Sequence, residues 1–180
     1  MSTSTLIAII VPSVVVLIAL AVGLSMLSRR RHLRQQFGPE YDRTVEAEGG
    51  RLAAERELHA REQRHEAFEI KELSPEIRDR YVHDWRDVQE RFVDRPEGAV
   101  TQADELVSRL MRERGYPADG YSGRVRDLSV EHGQTLEHYR AAHTVNVRSN
   151  EGQATTEDLR GAMVHYRALF EELLGTQGGR

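Results

Sequence analysis

The chain has 180 residues, of which 39% are hydrophobic and 30% charged, and it contains no cysteine. This length suits one compact domain besides a membrane segment, and the lack of cysteine excludes disulfides and thiolate metal sites. From residue 35 onward, 29 acidic residues oppose 21 basic ones, and this net charge of −8 argues against a nucleic-acid partner, whose phosphates are captured by lysine and arginine.

The first predicted element is a transmembrane helix over residues 6–27. Residues 1–28 carry no charge, and the 22 residues from Leu6 to Leu27 exceed the about 20 that a helix needs to cross the hydrocarbon core. A cleaved signal peptide is the alternative, but residues 1–5 contain no basic side chain and no cleavage site follows the apolar run. We therefore expect the lipid bilayer to be one partner.

A basic cluster follows the apolar run and predicts its orientation. It consists of Arg29, Arg30, Arg31 and Arg34, whereas nothing positive precedes the run. Because cytoplasmic flanks retain basic residues, residues 1–5 should be extracytoplasmic and the remaining chain should lie at the cytoplasmic face of the plasma membrane. The same arginines could contact anionic lipid headgroups, although a plain role in topology is the simpler interpretation.

Residues 28–72 are predicted to form a basic juxtamembrane segment and a charged helical stalk. Its helix, about 41–71, is rich in Glu, Arg and Ala and has few apolar residues, with a break expected at Gly49-Gly50. Heptad-like fragments suggest a coiled coil, because a helix with so few apolar residues is not stable by itself in water. A homo-oligomer is therefore possible.

Residues 73–174 are predicted to fold as a small antiparallel helical bundle, so the fold class is all-α. Ser74-Pro75 has the sequence of a helix start, Asp94 to Gly98 that of a turn, and Arg114-Gly115 that of a helix end. Thr101 and Asp104 resemble a capping pair. Three apolar stripes at helical spacing mark the buried faces: Ile77, Tyr81, Trp85, Val88, Phe92; Val100, Ala103, Leu106, Val107, Leu110, Met111; and Leu159, Met163, Tyr166, Phe170, Leu173.

Two further predictions complete the bundle. Residues 124–147 should form a weaker helix with Gly133 as its weak point, and the last helix should begin at Thr155 or Thr156. Residues 175–180 are predicted to be a disordered tail.

The eight histidines are the main candidates for chemistry, and we expect most of them to be exposed. Glu62 and His65 have the spacing of a di-iron motif without its other ligands, and His138 and His143 do not share a helical face. The segments His-Tyr-Arg at 138–140 and 165–167 each predict a buried tyrosine between two solvated neighbours. The sequence thus predicts no catalytic, cofactor-binding or metal-ligating residue.

Six short segments resemble a family of small single-pass membrane proteins of actinobacteria. The resemblance implies a membrane location and an actinobacterial source, and it carries over no activity, cofactor or site residue. The segments are FGPEYDR at 37–43, LSPE at 73–76, VQ at 88–89 with FVD at 92–94, RGYP at 114–117, HYRAAH at 138–143 and MVHYRALF at 163–170.

These patterns favour a non-enzymatic, membrane-anchored helical module that mediates protein–protein interaction as a scaffold or adaptor, with a protein partner still to be identified. Two alternatives remain open. The bundle could be an enzyme or a ligand- or metal-binding domain that uses histidines and carboxylates, or the arginine cluster could make the protein a sensor of anionic lipids.

Overall fold

The computed structural model describes residues 3–117 and 120–175, with the side chains of residues 3–13, 15, 19 and 22 excepted. The described residues form helices and no strand, which confirms the all-α prediction. The helices are α1 Thr3–Phe37, α2 Pro39–Ala47, α3 Arg51–Glu66, α4 Pro75–Asp94, α5 Pro96–Glu113, α6 Tyr121–Glu131, α7 Leu136–Asn150 and α8 Thr156–Leu173. They divide into two compact units, residues 1–58 and 59–180.

Unit 1 contains the long helix α1. Within the described part of the chain, no helix is both long enough and apolar enough to cross a bilayer. In the predicted transmembrane segment 6–27, half of the side chains lie outside the described set. Of the predicted extracytoplasmic N-terminus, Met1 and Ser2 and the side chains of residues 3–5 also lie outside it. The side chains that are described there, from Val14 to Leu27, are exposed.

The helical path is interrupted between α1 and α2 at Gly38-Pro39. Gly38 has φ 51°, a conformation that favours glycine, and Pro39 occupies the first turn of α2, where its missing N–H is harmless. α2 packs on the end of α1, with Arg34 Nη2 2.9 Å from Asp42 Oδ1. Tyr41 is buried and donates a hydrogen bond to Glu55 Oε1 at 3.0 Å.

The predicted stalk helix over residues 41–71 is only partly correct. Its break at Gly49-Gly50 is confirmed, since residues 48–50 separate α2 from α3. The helix ends at Glu66, however, and an irregular segment runs to Ser74. This segment is held by the backbone, because Lys71 N donates to Arg114 O at 2.8 Å.

Unit 2 holds the bundle, with α5 at its centre. α5 packs against α4, α7 and α8, and α8 packs along α7. The three predicted apolar stripes are buried, apart from Ile77 and Phe92, which are partly exposed at the ends of α4. The core is therefore the one that helical periodicity predicts.

Local signals placed most helix ends correctly. Ser74 caps α4 by accepting from Ile77 N, and Thr155 forms a capping box with Asp158 at the start of α8. Gly115 ends α5 with φ 97°, and a Cβ at this position would collide with the carbonyl oxygen of Glu69. This glycine therefore combines a conformation and a close approach that no other residue tolerates well.

Two predictions in the bundle are wrong. α5 begins at Pro96, inside the predicted turn, so Thr101 and Asp104 lie within the helix and do not cap it. The predicted helix 124–147 is two helices, α6 and α7, with Gly133 in the turn between them, so that five helices make up the bundle. Of the predicted tail, residues 176–180 lie outside the described residues.

Candidate functional site

The best candidate site is a groove between α4 and α8, which both pack on α5. Two depressions, of about 360 and 230 Å³, lie next to each other and share Gln89 and Arg167 in their linings; together they are called here the α4–α8 groove. Its lining runs along α8 from Arg160 to Leu174, the residue just after the helix, a length of roughly 21 Å at 1.5 Å per residue. This length corresponds to about four turns of a helix.

The floor of the α4–α8 groove is aromatic. Trp85 and Phe170 stack with their ring centroids 4.7 Å apart and their planes inclined by 20°. Phe92 and Met163 continue this apolar floor toward the other end. Trp85 Nε1 is buried and has no hydrogen-bond acceptor among the described residues.

The rim of the groove is positively charged, in contrast to the acidic composition of the rest of the chain. Arg86, Arg160 and Arg167 line it, with Glu171 as the single lining carboxylate. Arg167 Nε lies 2.6 Å from Glu171 Oε1, and Arg160 pairs with Glu157 one turn earlier on α8, so ion pairs restrain two of the three guanidinium groups. Val164 also lines the groove and leaves 63% of its surface exposed.

A partly buried polar cluster lies on α5, α6, α7 and α8 and is called here the Asp104 cluster. Asp104 accepts a hydrogen bond from Tyr166 Oη at 3.0 Å and lies 3.5 Å from His143 Nδ1 and 3.9 Å from Arg124 Nη2. Burial alone would raise the pKa of Asp104, but His143, Arg124 and Tyr166 together outweigh it and lower that pKa below 3.8. Burial and the adjacent carboxylate raise the pKa of Tyr166.

A second polar network fixes the turn between α6 and α7. Glu172 lies 2.6 Å from His132 Nδ1 and also accepts from Thr135 Oγ1, while Tyr116 Oη lies 3.0 Å from His132 Nε2 and donates to Glu131 at 2.9 Å. Both ring nitrogens of His132 are thus engaged within the protein. This geometry supports a structural role, because neither nitrogen is free to accept a proton from a substrate.

The histidines are less exposed than the sequence suggested, so that prediction is wrong. Only His32, His83 and His138 are exposed, whereas His132 is buried. His65 also has little exposure, and its ring lies beside those of Phe68 and Tyr116. His65 and His132 both pack against the ring of Tyr116. Such tertiary contacts are not visible in the local sequence, so the burial of these histidines was not predicted.

The two His-Tyr-Arg segments meet where α7 and α8 pack. Tyr139 and Tyr166 are fully buried, which confirms the prediction for both tyrosines. His138 and His165 lie beside them, with 2.8 Å between the two Nδ1 atoms. Among the described residues, no group of three or more metal-ligating side chains is arranged around a common point.

The structure separates the four arginines that the sequence singled out. Arg30 and Arg34 face α2, where Arg34 lies over the Tyr41 ring at 5.2 Å and Arg30 also interacts with Tyr41. Arg29 and Arg31 point outward and are exposed. The sequence analysis did not single out Arg86 or Arg160 of the groove. Each follows a residue of an apolar stripe directly in sequence, and such positions lie at the border of a buried helix face.

Comparisons with known protein families, curated proteins and solved structures find no match to this chain. The resemblance to actinobacterial membrane proteins therefore stays a prediction.

Proposed function

We propose that this protein is a membrane-anchored helical adaptor whose bundle binds an acidic, amphipathic helix of a second protein in the α4–α8 groove. The observation that carries this proposal is the combination of an aromatic floor with an arginine-lined rim. Helix-in-groove recognition uses apolar anchors on one helix face and fixes the partner's orientation through charges at the edges. The groove offers both.

The charge of the groove favours an acidic partner. Three arginines and one glutamate line it, in a chain that carries a net charge of −8 from residue 35 onward. A partner helix with carboxylates flanking its apolar face would pair with these guanidinium groups, and arginine is well suited to interfaces because it binds carboxylates in two-pronged geometry. Basic helices would be repelled.

Anchoring by α1 is the second part of the proposal. The exposed side chains of α1 include Leu17, Leu20 and Leu24, each more than 55% exposed, and a helix that is apolar on all sides needs a nonpolar environment. The arginines after Ser28 then favour a cytoplasmic location for the bundle. Protease added to intact cells should leave the bundle uncut, and its digestion would reverse the proposed orientation.

Site-specific photo-cross-linking in living cells tests the groove. A photoreactive residue replaces Val164 in the groove or, as the matched control, Val147, an exposed valine of α7. We expect an adduct from position 164 only, with a protein whose cross-linked peptide is an acidic amphipathic helix. Equal adducts from both positions, or none from position 164, would contradict the proposal.

Charge reversal separates specific docking from incidental contact. Arg86→Glu with Arg167→Glu should abolish the adduct, and acidic-to-lysine changes in the captured helix should restore it. An adduct between two copies of this chain would replace the proposed partner with self-association.

Lipid sensing is a second candidate, favoured by the exposure of Arg29 and Arg31. Exposed juxtamembrane arginines contribute about 1 kcal/mol each to the attraction of an anionic bilayer. Replacing both with glutamine should reduce anionic-lipid enrichment around the reconstituted protein in mixed phosphatidylserine and phosphatidylcholine vesicles. If the replacement only inverts topology, sensing is contradicted.

A further inference from the structure

We propose that His138 and His165 form a two-histidine binding site for a divalent transition metal of the copper, nickel or zinc class. The site lies on the packed pair of helices α7 and α8. It is independent of the proposed docking groove, which uses α4 and another face of α8.

The local architecture brings the two imidazoles together by a near repetition. His-Tyr-Arg-Ala occurs at 138–141 on α7 and again at 165–168 on α8. The helices run antiparallel, since Thr135 near the start of α7 contacts Glu172 near the end of α8. Each histidine therefore meets its counterpart, as does each tyrosine.

The distance between the ring nitrogens suits a shared ion. The Nδ1 atoms of His138 and His165 lie 2.8 Å apart. Two nitrogens that bind one metal at about 2.0 to 2.1 Å in adjacent, right-angled positions are roughly 2.9 Å apart, whereas tetrahedral positions require about 3.3 Å. In the structure these two nitrogens share a hydrogen bond, so an ion would displace its proton and both rings would turn until their lone pairs converge. The separation itself already suits the square or octahedral geometry of copper and nickel, and a tetrahedral zinc site needs it slightly wider.

The support beneath the histidines holds them in place. Tyr139 and Tyr166 follow them in sequence, are completely buried, and contact each other edge to face with centroids 6.3 Å apart. Tyr166 is anchored further by its hydrogen bond to Asp104. A site on two well-packed helices keeps its ligands oriented better than a site on loops does.

The surroundings allow a cation to approach. Arg140, two residues after His138, lies 4.0 Å from Glu137, so this carboxylate offsets its guanidinium charge. His138 is exposed, which leaves room for water in the remaining coordination positions.

Metal titration of the full chain without an affinity tag, in mild detergent, tests this site. Isothermal titration with Cu²⁺, Ni²⁺ or Zn²⁺ should give one ion per chain, and His138→Ala or His165→Ala should each weaken binding at least tenfold. The control is His83→Ala, because His83 is exposed on α4 and should not contribute. Urea midpoints establish that the variants remain folded.

The spectrum of the Cu²⁺ complex and the number of ions bound per chain decide whether both histidines bind the metal. Electron paramagnetic resonance of the Cu²⁺ complex should show two imidazole nitrogens, and one after either substitution. Equal binding by all four proteins, or no binding at about 100-fold the concentration that saturates a free two-imidazole chelator, would overturn the proposal. One ion per two chains with loss in both variants would support the same ligands, shared between two copies.

Discussion

Replacing Asp104 with alanine should destabilise the bundle by about 3 kcal/mol. Tyr166 is fully buried and loses the acceptor of its hydroxyl group, which costs about 1 to 3 kcal/mol. Arg124 and His143 lose the nearby negative charge as well. Their side chains remain 17% and 21% exposed, so water relieves part of that cost and keeps the total near the lower limit for a broken buried pair.

Urea denaturation of the full chain in mild detergent measures this effect. Asp104→Ala should lower the midpoint without changing the slope, because the surface exposed on unfolding hardly changes. Tyr166→Phe alone should cost about 1 kcal/mol, and in the Asp104→Ala background it should cost nothing or stabilise, since it removes an unpaired buried hydroxyl. An equal cost of Tyr166→Phe in both backgrounds would refute the assigned hydrogen bond.

Three other substitutions test separate contacts. Gly115→Ala should destabilise the protein by more than about 1 kcal/mol, because φ is positive there and the new Cβ meets the carbonyl oxygen of Glu69; a midpoint equal to that of the wild type would contradict this. Thr155→Ala should cost about 1 kcal/mol by removing the acceptor for the N–H of Asp158, whereas Thr155→Ser should cost little. Burial raises the pKa of Glu172, but hydrogen bonds from His132 and Thr135 lower it by more, so the pKa in the folded protein lies below 4.5. The ionised Glu172 therefore contributes its full stabilisation above pH 4.5, and this contribution is lost as the pH falls below that value. Glu172→Gln should remove that part of the acid dependence of the urea midpoint, and an unchanged dependence would exclude the assignment.

The sequence predicted the bundle well where a helix signals its own limits. Ser74 and Thr155 have side chains that satisfy backbone N–H groups of the following turn, so their role depends on only a few neighbouring residues. The stripe around Tyr166 is similarly local, since helical spacing alone places its members on one face. Such features need no knowledge of the partner helices.

The errors arise where distant residues decide. In the sequence, Asp104 and Thr101 resemble a pair that caps the start of a helix. In the structure, tertiary packing places Asp104 opposite Tyr166, which is 62 residues away in sequence. The turn at Gly133 is fixed by Glu172 through contacts with residues 132 and 135 that no local pattern contains. Helical periodicity predicted that the tyrosines of both His-Tyr-Arg segments are buried, because it is a local pattern. It could not predict that His138 contacts His165, because that contact depends on how α7 packs against α8.

Trp85 gives the α4–α8 groove an intrinsic optical reporter. It is the one tryptophan of the chain, and its indole lies in the groove floor, stacked on Phe170 and only 6% exposed. Selective excitation of this indole therefore yields fluorescence from a single, known position. An occupant that seats on Phe170 changes the polarity around the indole and with it the emission maximum, so occupancy of the groove can be followed without attaching any dye.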